Sequence, residues 1–173
     1  AGLDNDGNGY IDDVHGITAL TGSGDPMDDN ASTYHGTHCA GTIGAIGNNS
    51  AGVAGVCWTA RIMGLKFLAS DGRGWTSDAV ECIQYAVDHS AHVLSNSWGG
   101  GGYPSSRRAA IEAAKDAGIL FIAAAGNDYG NNNDANPVYP AGYDNENIIA
   151  VAATDRNDLL AGFSNCGPKS VDV

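Results

Sequence analysis

The sequence predicts an α/β fold built on a mostly parallel and buried sheet. Continuous apolar runs at residues 119–125 and 147–154 have the length of strands and the composition expected of strands covered on both faces. Between such runs, residues 76–89 place apolar side chains at mainly helical spacing. The 25 glycines and the 43% hydrophobic content suit a globular α/β enzyme and not a disordered chain.

Length and charge limit the classes of partner. The 173 residues are enough for one domain with a substantial core. The formal net charge of -12 argues against nucleic acid or an anionic membrane surface as a partner, because both repel an acidic protein. No apolar run approaches the roughly 20 residues that a membrane-spanning helix needs. We therefore expect neither nucleic acid nor a membrane among the partners.

Residues 1–15 form an acidic loop with the features of a calcium site. Oxygen-bearing side chains recur at alternate positions around a glycine turn, and Ca²⁺ takes about six to eight oxygen ligands. Without a cation the clustered carboxylates would repel one another, and a solvated acidic turn is the alternative. The twelfth loop position is His15 and not Glu, so the loop is not an EF-hand and Asp13 is the candidate for the missing carboxylate. The predicted ligands are the side chains of Asp4, Asp6, Asn8, Asp12 and Asp13 and the carbonyl of Tyr10.

A polar loop is predicted for residues 14–34, with Gly22–Pro26 as its clearest turn. The carboxylates of this loop are expected to be exposed charges. They are Asp25, Asp28 and Asp29.

A helix is predicted from His35 to Ile46, followed by a turn at residues 47–50. Its glycines and other small residues favour burial in tight packing. His35 lies in the first turn of this helix, where a side chain faces a cleft and not a core. The alternative is that His35 is an ordinary polar residue at a helix start. Cys39 is expected to be a small buried hydrophobic residue.

The rest of the chain alternates between apolar runs and helical segments. Thr76 or Ser77 can cap the first of these helices, and Gly118 ends the second. The predicted elements are a strand at 61–68, a glycine turn at 71–75, a helix at 76–89, a strand at 91–100, a helix at 104–117, strands at 119–125 and 147–154, and the start of a strand at 171–173.

Three segments carry the functional prediction: residues 34–44 with the motif H-G-T-H, residues 96–100 with N-S-W-G-G, and residues 123–127 with A-A-A-G-N. The second and third each end an apolar run, where a parallel sheet presents its ligand-binding edge. In this order and spacing the three resemble the subtilisin family of serine proteases, the subtilases. The resemblance implies a three-layer α/β/α fold with a mostly parallel central sheet. It also implies a serine-type endopeptidase that is secreted and acts on a peptide or protein substrate.

By the resemblance, His35 is the general base and Asn127 donates to the oxyanion. A histidine suits the first role because its pKa near 6.5 lets it take a proton from a serine and return it to the leaving amine. A fixed amide suits the second because negative charge develops on the carbonyl oxygen, and losing one such donor costs on the order of 10²–10³ in turnover. The implied substrate-binding residues are Gly72, Gly74, Ser97, Trp98, Gly99, Gly100, Ala125 and Gly126.

Two members of the triad are not found in the sequence. Neither the D-[ST]-G segment of the catalytic aspartate nor the G-T-S-x-A segment of the catalytic serine occurs in residues 1–173. We therefore expect a catalytic domain truncated at both ends, with its core at residues 34–173, and no turnover by this chain alone. A catalytically dead, peptide-binding relative of the subtilases is the alternative. An unrelated flavodoxin-like protein is disfavoured, because no phosphate-binding glycine-rich turn follows a strand.

The resemblance adds three further expectations. The loop after the helix at His35 is similar to a family calcium loop, and its ligands by position are the Asn49 side chain and the carbonyls of Ala51 and Val53; a plain structural loop is the alternative. The peptide bond Tyr139–Pro140 is predicted to be cis. A propeptide inhibitor is a candidate partner.

The four cysteines lack the spacing of a zinc site, and sequence alone leaves their pairing open. They are Cys39, Cys57, Cys82 and Cys166.

Overall fold

The computed structural model describes residues 2–173, which form two compact units. The first unit ends at Cys82 and the second begins at Ile83. None of the helices in the described residues combines the length and apolar character needed to cross a bilayer. In chain order the elements are β1 (Gly16–Thr18), α1 (His35–Gly44), β2 (Gly64–Lys66), α2 (Thr76–Asp88), β3 (Val93–Asn96), α3 (Ser105–Asp116), β4 (Leu120–Ala124) and β5 (Ile148–Val151).

The first unit contains a parallel pair of short strands. β1 pairs with β2, and Ile17, which is fully buried, lies opposite Leu65. A Cβ on Gly16 would lie only 1.9 Å from the carbonyl oxygen of Gly64, so glycine permits this close approach. The prediction of a loop throughout residues 14–34 was therefore wrong at β1. A three-residue strand has too few positions to produce a recognisable apolar pattern.

Helix α1 begins at His35, as predicted, but ends at Gly44 and not at Ile46. The chain turns to an extended conformation at Ala45, and the backbone N–H groups of Val56 and Cys57 then donate to carbonyls of the last helical turn. No residue of α1 is buried, so the predicted burial of this helix was wrong. Its glycine, alanine and threonine side chains offer little apolar surface to cover. Cys39 is accordingly only half-buried.

The second unit contains a three-stranded parallel sheet in the order β3-β4-β5. Phe121 and Ala123 on β4 are fully buried, as is Ile111 on α3, which packs against that strand. With parallel pairing in both units and helices between the strands, the predicted α/β class is confirmed. The arrangement is consistent with the three-layer fold that the resemblance implies.

The strands of the second unit are shorter than the apolar runs that predicted them. β3 has four residues and β4 has five, because the chain bends away from the sheet at the glycines and asparagines that follow. Residues 171–173 are not a strand, although Asp172 and Val173 exchange backbone hydrogen bonds with the β5 region as a further strand would. The predicted cis peptide bond at Tyr139–Pro140 is confirmed.

Candidate active site

A cleft lies at the carboxyl edge of the three-stranded sheet, within the second unit. Its volume is about 280 Å³, and it is lined by strand ends and the segments after them, residues 95–97, 122–127 and 151–153, together with Ser164. Because parallel strands all end at the same edge, the residues that follow them converge there. The sequence-predicted residues Ser97, Ala125, Gly126 and Asn127 are among the lining residues.

Asn127 lines this cleft with an exposed side chain. Within residues 83–173 its carboxamide has no hydrogen-bond partner, so its N–H donors are available to a ligand. Ser97 is also exposed, and neither Ser97 nor Gly99 has a backbone hydrogen bond inside the same unit. The cleft therefore presents the amide of Asn127 and the exposed residue Ser97 side by side among its lining residues.

The turn that carries Asn127 is held by two buried asparagines. Asn165 is fully buried, and its Nδ2 donates to the carbonyl of Ala125 at 3.1 Å while its Oδ1 accepts the backbone N–H of Asp128 at 2.6 Å. Asn133 is 1% exposed, and its Nδ2 donates to the same Ala125 carbonyl at 2.8 Å. The chain on both sides of Asn127 is thus hydrogen-bonded to buried amides.

Residues 97–100, which follow β3, make hydrogen bonds and ring contacts with neighbouring segments. Gly100 donates its backbone N–H to the carbonyl of Tyr139 at 2.9 Å. The half-buried Trp98 donates from Nε1 to the side-chain oxygen of Asn96 at 3.1 Å, and the guanidinium of Arg107 lies 5.3 Å from the centre of its ring. Trp98, Gly99 and Gly100 do not line the cleft itself.

His35 lies in the first unit, at the first residue of α1, and is exposed. Its Nδ1 is 3.9 Å from Sγ of Cys39, one helical turn along. Within residues 2–82 no carboxylate lies within salt-bridge distance of the ring. The general base of the predicted triad thus has no orienting carboxylate in its own unit.

Asp28 fixes the start of α1 and was not recognised from the sequence, which predicted only an exposed charge. Its Oδ2 accepts the backbone N–H of Thr37 at 2.9 Å and the Thr37 hydroxyl at 3.1 Å. The N–H of Thr37 holds the pKa of Asp28 below its ordinary value. Tyr34, which precedes the helix, provides no side-chain cap, so Asp28 caps the helix from a distance in sequence.

Gly72 and Gly74 lie in a turn after β2 and not in a strand. Ala69 donates its backbone N–H to the carbonyl of Arg73 at 2.8 Å, and Gly72 donates to the carbonyl of Ala69 at 2.9 Å. These bonds reverse the chain at residues 69–73. Trp75, after the turn, is 77% exposed.

The acidic loop is organised by Asp4, whose carboxylate accepts the backbone N–H groups of Gly7, Asn8 and Gly9 at 2.7–3.2 Å. These bonds lower the pKa of Asp4, with the bond from Gly9 as the largest cause. Tyr10 donates its hydroxyl to Glu81.

Three of the predicted ligand side chains in this loop converge. Nδ2 of Asn8 is 3.1 Å from Oδ2 of Asp6 and 2.8 Å from Oδ2 of Asp13. Asp12 is not part of this group, because its Oδ2 accepts the backbone N–H of Gly2 at 2.6 Å. Oδ1 of Asn8 accepts the backbone N–H of Tyr10 at 2.8 Å, so it is the amide nitrogen of Asn8 that faces the two carboxylates. The carboxylate oxygens of Asp6 and Asp13 are of a type that Ca²⁺ accepts.

The loop at residues 46–54 encloses a cavity of about 270 Å³. Oδ1 of Asn49 accepts the backbone N–H of Ala51 at 3.1 Å, so the predicted side-chain ligand is engaged within its own loop. Beyond the loop, Gly55 donates its backbone N–H to the carbonyl of Ala45 at 2.8 Å. The loop therefore has a structural role in closing the end of α1.

All four cysteines are free thiols. Cys82 is buried, and burial raises the pKa of its thiol to about 12, so it stays protonated near neutral pH. None of the four is paired in a disulfide.

The model of the subtilase family matches residues 4–173 of this chain. The chain belongs to the subtilase family. Subtilisin-like protease 1 of Plasmodium falciparum is 34% identical over 171 residues, which is 91% of this chain and 24% of that protein. Thermitase of Thermoactinomyces vulgaris is 43% identical over 139 residues, 80% of this chain and 47% of that protein. The thermophilic serine proteinase of Bacillus sp. (strain AK1) is 38% identical over 154 residues, 89% of this chain and 36% of that protein.

This subtilase chain spans between 24% and 47% of the length of these three relatives. The family resemblance inferred from the three sequence motifs is therefore confirmed.

Sequence reasoning missed the two buried asparagines of this subtilase, Asn133 and Asn165. Nothing in the order of the asparagines indicates that Asn133 is buried while its neighbours are exposed or half-buried. Their effect depends on tertiary contacts with residues 125–128, which no local pattern encodes.

Proposed function

We propose that the protein containing this chain is a serine-type endopeptidase, with His35 as general base and Asn127 as oxyanion donor. The observation that carries the proposal is the free carboxamide of Asn127 in a cleft at the carboxyl edge of a parallel sheet, in a chain of the subtilase family. The catalytic serine and aspartate would come from outside residues 1–173, where neither motif occurs. The core of the domain would be residues 34–173.

In this mechanism His35 removes the proton of the serine hydroxyl as the oxygen attacks the scissile carbonyl. The imidazolium then gives the proton to the leaving amine, which requires a group that titrates near neutral pH. Negative charge builds on the carbonyl oxygen during the attack, and the N–H of Asn127 stabilises it. An exposed donor with no partner of its own is available for this role without first breaking a hydrogen bond.

The substrate backbone would pair with residues 97–99. The backbone groups of Ser97 and Gly99 have no hydrogen bonds within their unit, and an extended peptide can satisfy them as an added strand. Gly72 and Gly74 would also bind the substrate backbone, which requires the turn at residues 69–73 to open into an extended segment. Gly99 and Gly100 would shape one wall of the primary pocket. Trp98, Ala125 and Gly126 would be further substrate-binding residues.

We also propose a structural Ca²⁺ in the acidic loop, which fits the general calcium dependence of the family. The convergence of Asp6, Asn8 and Asp13 supports it, and Asp4 would hold the loop in shape. Asp12 and the carbonyl of Tyr10 remain proposed ligands. A second ion would be held at residues 46–54 by Asn49, Ala51 and Val53.

Secretion and a propeptide inhibitor complete the proposal, both by analogy with the family. A secreted, calcium-stabilised protease would be held inactive by its propeptide until that segment is removed. The proposed substrates are peptides and unfolded protein segments, because the cleft edge offers backbone groups for pairing.

The test compares the mature full-length protein with its Asn127→Ala and His35→Ala variants on a chromogenic peptide. We expect Asn127→Ala to lower kcat by on the order of 10²–10³ with little change in KM. In the unaltered protein a serine-directed inhibitor should block turnover. His35→Ala should abolish this turnover. The isolated 173-residue chain should show no turnover.

Two outcomes would contradict the proposal. Peptide cleavage that survives both substitutions would remove His35 and Asn127 from the mechanism. Peptide binding without any cleavage by the full-length protein would favour the non-catalytic, peptide-binding alternative.

A further inference from the structure

We propose that Asn165, assisted by Asn133, is a positioning residue that holds Asn127 in place for oxyanion stabilisation. The proposal rests on the function proposed above and adds residues to its site. It concerns side chains that touch neither substrate nor reacting atoms, so their effect would be exerted entirely through the backbone of residues 125–128.

The side chain of Asn165 bridges the two ends of the turn that carries Asn127. Its Nδ2 donates to Ala125 O at 3.1 Å, before Asn127, and its Oδ1 accepts the N–H of Asp128 at 2.6 Å, after Asn127. The backbone N–H of Asn165 donates to Gly126 O at 2.9 Å. Three consecutive peptide units around Asn127 are thus bonded to one residue.

Asn133 supports the same turn from a second direction. Its Nδ2 donates to Ala125 O at 2.8 Å, and its Oδ1 accepts from Nδ2 of Asn165 at 3.1 Å. Nδ2 of Asn131 donates to that same Oδ1 at 2.9 Å. With 0% and 1% of their surfaces exposed, Asn165 and Asn133 make these bonds away from water, where hydrogen bonds hold their geometry well.

Packing adds to the hydrogen bonds. Gly126 has φ +118°, and a Cβ at this position would lie 2.4 Å from Nδ2 of Asn165. The carboxamide of Asn165 therefore lies directly against the backbone of the residue before Asn127. A side chain at residue 126 would displace either Asn165 or the turn.

These contacts matter because Asn127 itself is exposed and makes no hydrogen bond within residues 83–173. Nothing bonded to its own side chain fixes the position of its amide, so the position depends on the backbone. Oxyanion stabilisation requires a donor held ready at the site where charge develops, and a displacement of about 1 Å can cost on the order of 10² in rate.

The experiment measures kcat, KM and urea unfolding for the mature full-length protein with Asn165→Ala or Asn133→Ala. The matched control is Asn147→Ala. Like Asn165 and Asn133, Asn147 is buried and its side chain donates to backbone carbonyls, in this case those of Ile111 and Ile119. It lies before β5, however, at the end of the strands opposite to the cleft. We expect Asn165→Ala to lower kcat about tenfold or more at nearly constant KM, whereas Asn147→Ala changes stability without that loss of kcat.

A double-mutant cycle separates positioning from general destabilisation. In an Asn127→Ala background no donor remains to be positioned, so Asn165→Ala should lower stability as before but have little further effect on kcat. An equal loss of kcat in both backgrounds would overturn the proposal and give Asn165 a purely structural role. The proposal would also be overturned if Asn127→Ala lowered kcat but Asn165→Ala left kcat unchanged.

Failure of the underlying function gives a different result. If Asn127→Ala leaves kcat unchanged, the oxyanion role itself is wrong, and the positioning role falls with it. If Asn165→Ala does not fold, Asn133→Ala decides by the same criteria, because it removes one bond to Ala125 and leaves the bond between Asn165 and Asp128 in place.

Discussion

Two consecutive arginines on α3 have opposite environments. Arg107 is buried, with Nε 3.2 Å from the hydroxyl of Tyr143 and Nη2 3.4 Å from Gly102 O, and its guanidinium lies over the rings of Trp98 and Tyr143. Within residues 83–173 it has no carboxylate partner. Arg108 instead forms an exposed ion pair with Asp144. Arg107 therefore joins α3 to the proposed substrate wall through neutral oxygens and aromatic faces.

Substituting these two arginines should have very different effects. Arg107→Ala should lower the free energy of unfolding by about 1–3 kcal/mol, since it removes two hydrogen bonds and two ring contacts from a buried site. Arg107→Lys should recover only part of this loss, because an ammonium cannot make the same planar contacts. Urea unfolding of the mature protein measures both, with Arg108→Ala as the matched control, which should shift the midpoint far less. Equal losses at the two positions would contradict this interpretation.

At this scale the sequence identified residues whose motif is local, and missed those whose role depends on the fold. His35 and Asn127 are predicted site residues because each lies in a short run that resembles a motif of the family. The bonds of Asn165 to residues 125–128 instead span 37 to 40 positions of the chain. Asp28 was predicted to be an exposed charge because its partner Thr37 is nine residues away and no local pattern links the two.

Among the elements, α1 shows how a helix can be closed by residues outside it. Asp28 accepts the N–H of Thr37, one of the donors that the first turn leaves without partners. At the other end, Val56 and Cys57 donate to carbonyls of the last turn. These tertiary contacts define a helix that buries none of its residues.

Asp28→Ala should therefore destabilise α1 in a pH-dependent way. The expected loss at neutral pH is about 0.5–1 kcal/mol, the size of a partly exposed helix cap. Because the folded pKa of Asp28 lies below its unfolded value, its contribution is fully present above about pH 4. It disappears as the pH falls through the folded pKa. Urea unfolding from pH 7 down into the acid range measures the difference between the unaltered protein and the variant.

The control for this prediction is Asp28→Asn, which keeps an oxygen acceptor for the N–H of Thr37 but has no charge to titrate. It should lose less stability than Asp28→Ala, and its own stability should not depend on the ionisation of residue 28. The capping role would be contradicted if the free energies of unfolding of Asp28→Ala and the unaltered protein differed by the same amount down to the lowest pH.

The predicted elements agree best with the structure where the apolar pattern is long. The helix at residues 76–89 and the strands of the second unit were all found, with ends shifted by a few residues. β1 was missed because three buried residues, Gly16–Thr18, carry no period. The extent of α1 was overestimated because the end of the helix is set by the return of residues 55–57 and not by Ile46.

For the whole molecule, the dominant electrostatic fact is an excess of carboxylates, with 20 Asp and Glu against 8 Lys and Arg. Four of these carboxylates lie in the acidic loop, where Asp6 and Asp13 approach the same amide of Asn8. Such an arrangement favours a folded state that binds a cation, because the ion removes the mutual repulsion of the carboxylates. The sequence suggests a cation site here because all the proposed ligands lie within a short segment.

Calcium should consequently stabilise the mature protein, and the effect should depend on the acidic loop. At a Ca²⁺ concentration of about 100 times Kd the gain would be about 2.7 kcal/mol, seen as a higher Tm than in EDTA. Asp6→Asn should reduce this gain strongly. In EDTA, however, the same variant should be as stable as the unaltered protein or slightly more so, because one repelling charge is gone. Asp71→Asn is the control, since Asp71 is an exposed carboxylate that accepts the N–H of Arg73 in its own turn. A calcium-dependent gain that Asp6→Asn and Asp71→Asn leave equally intact would exclude the acidic loop as the site of stabilisation.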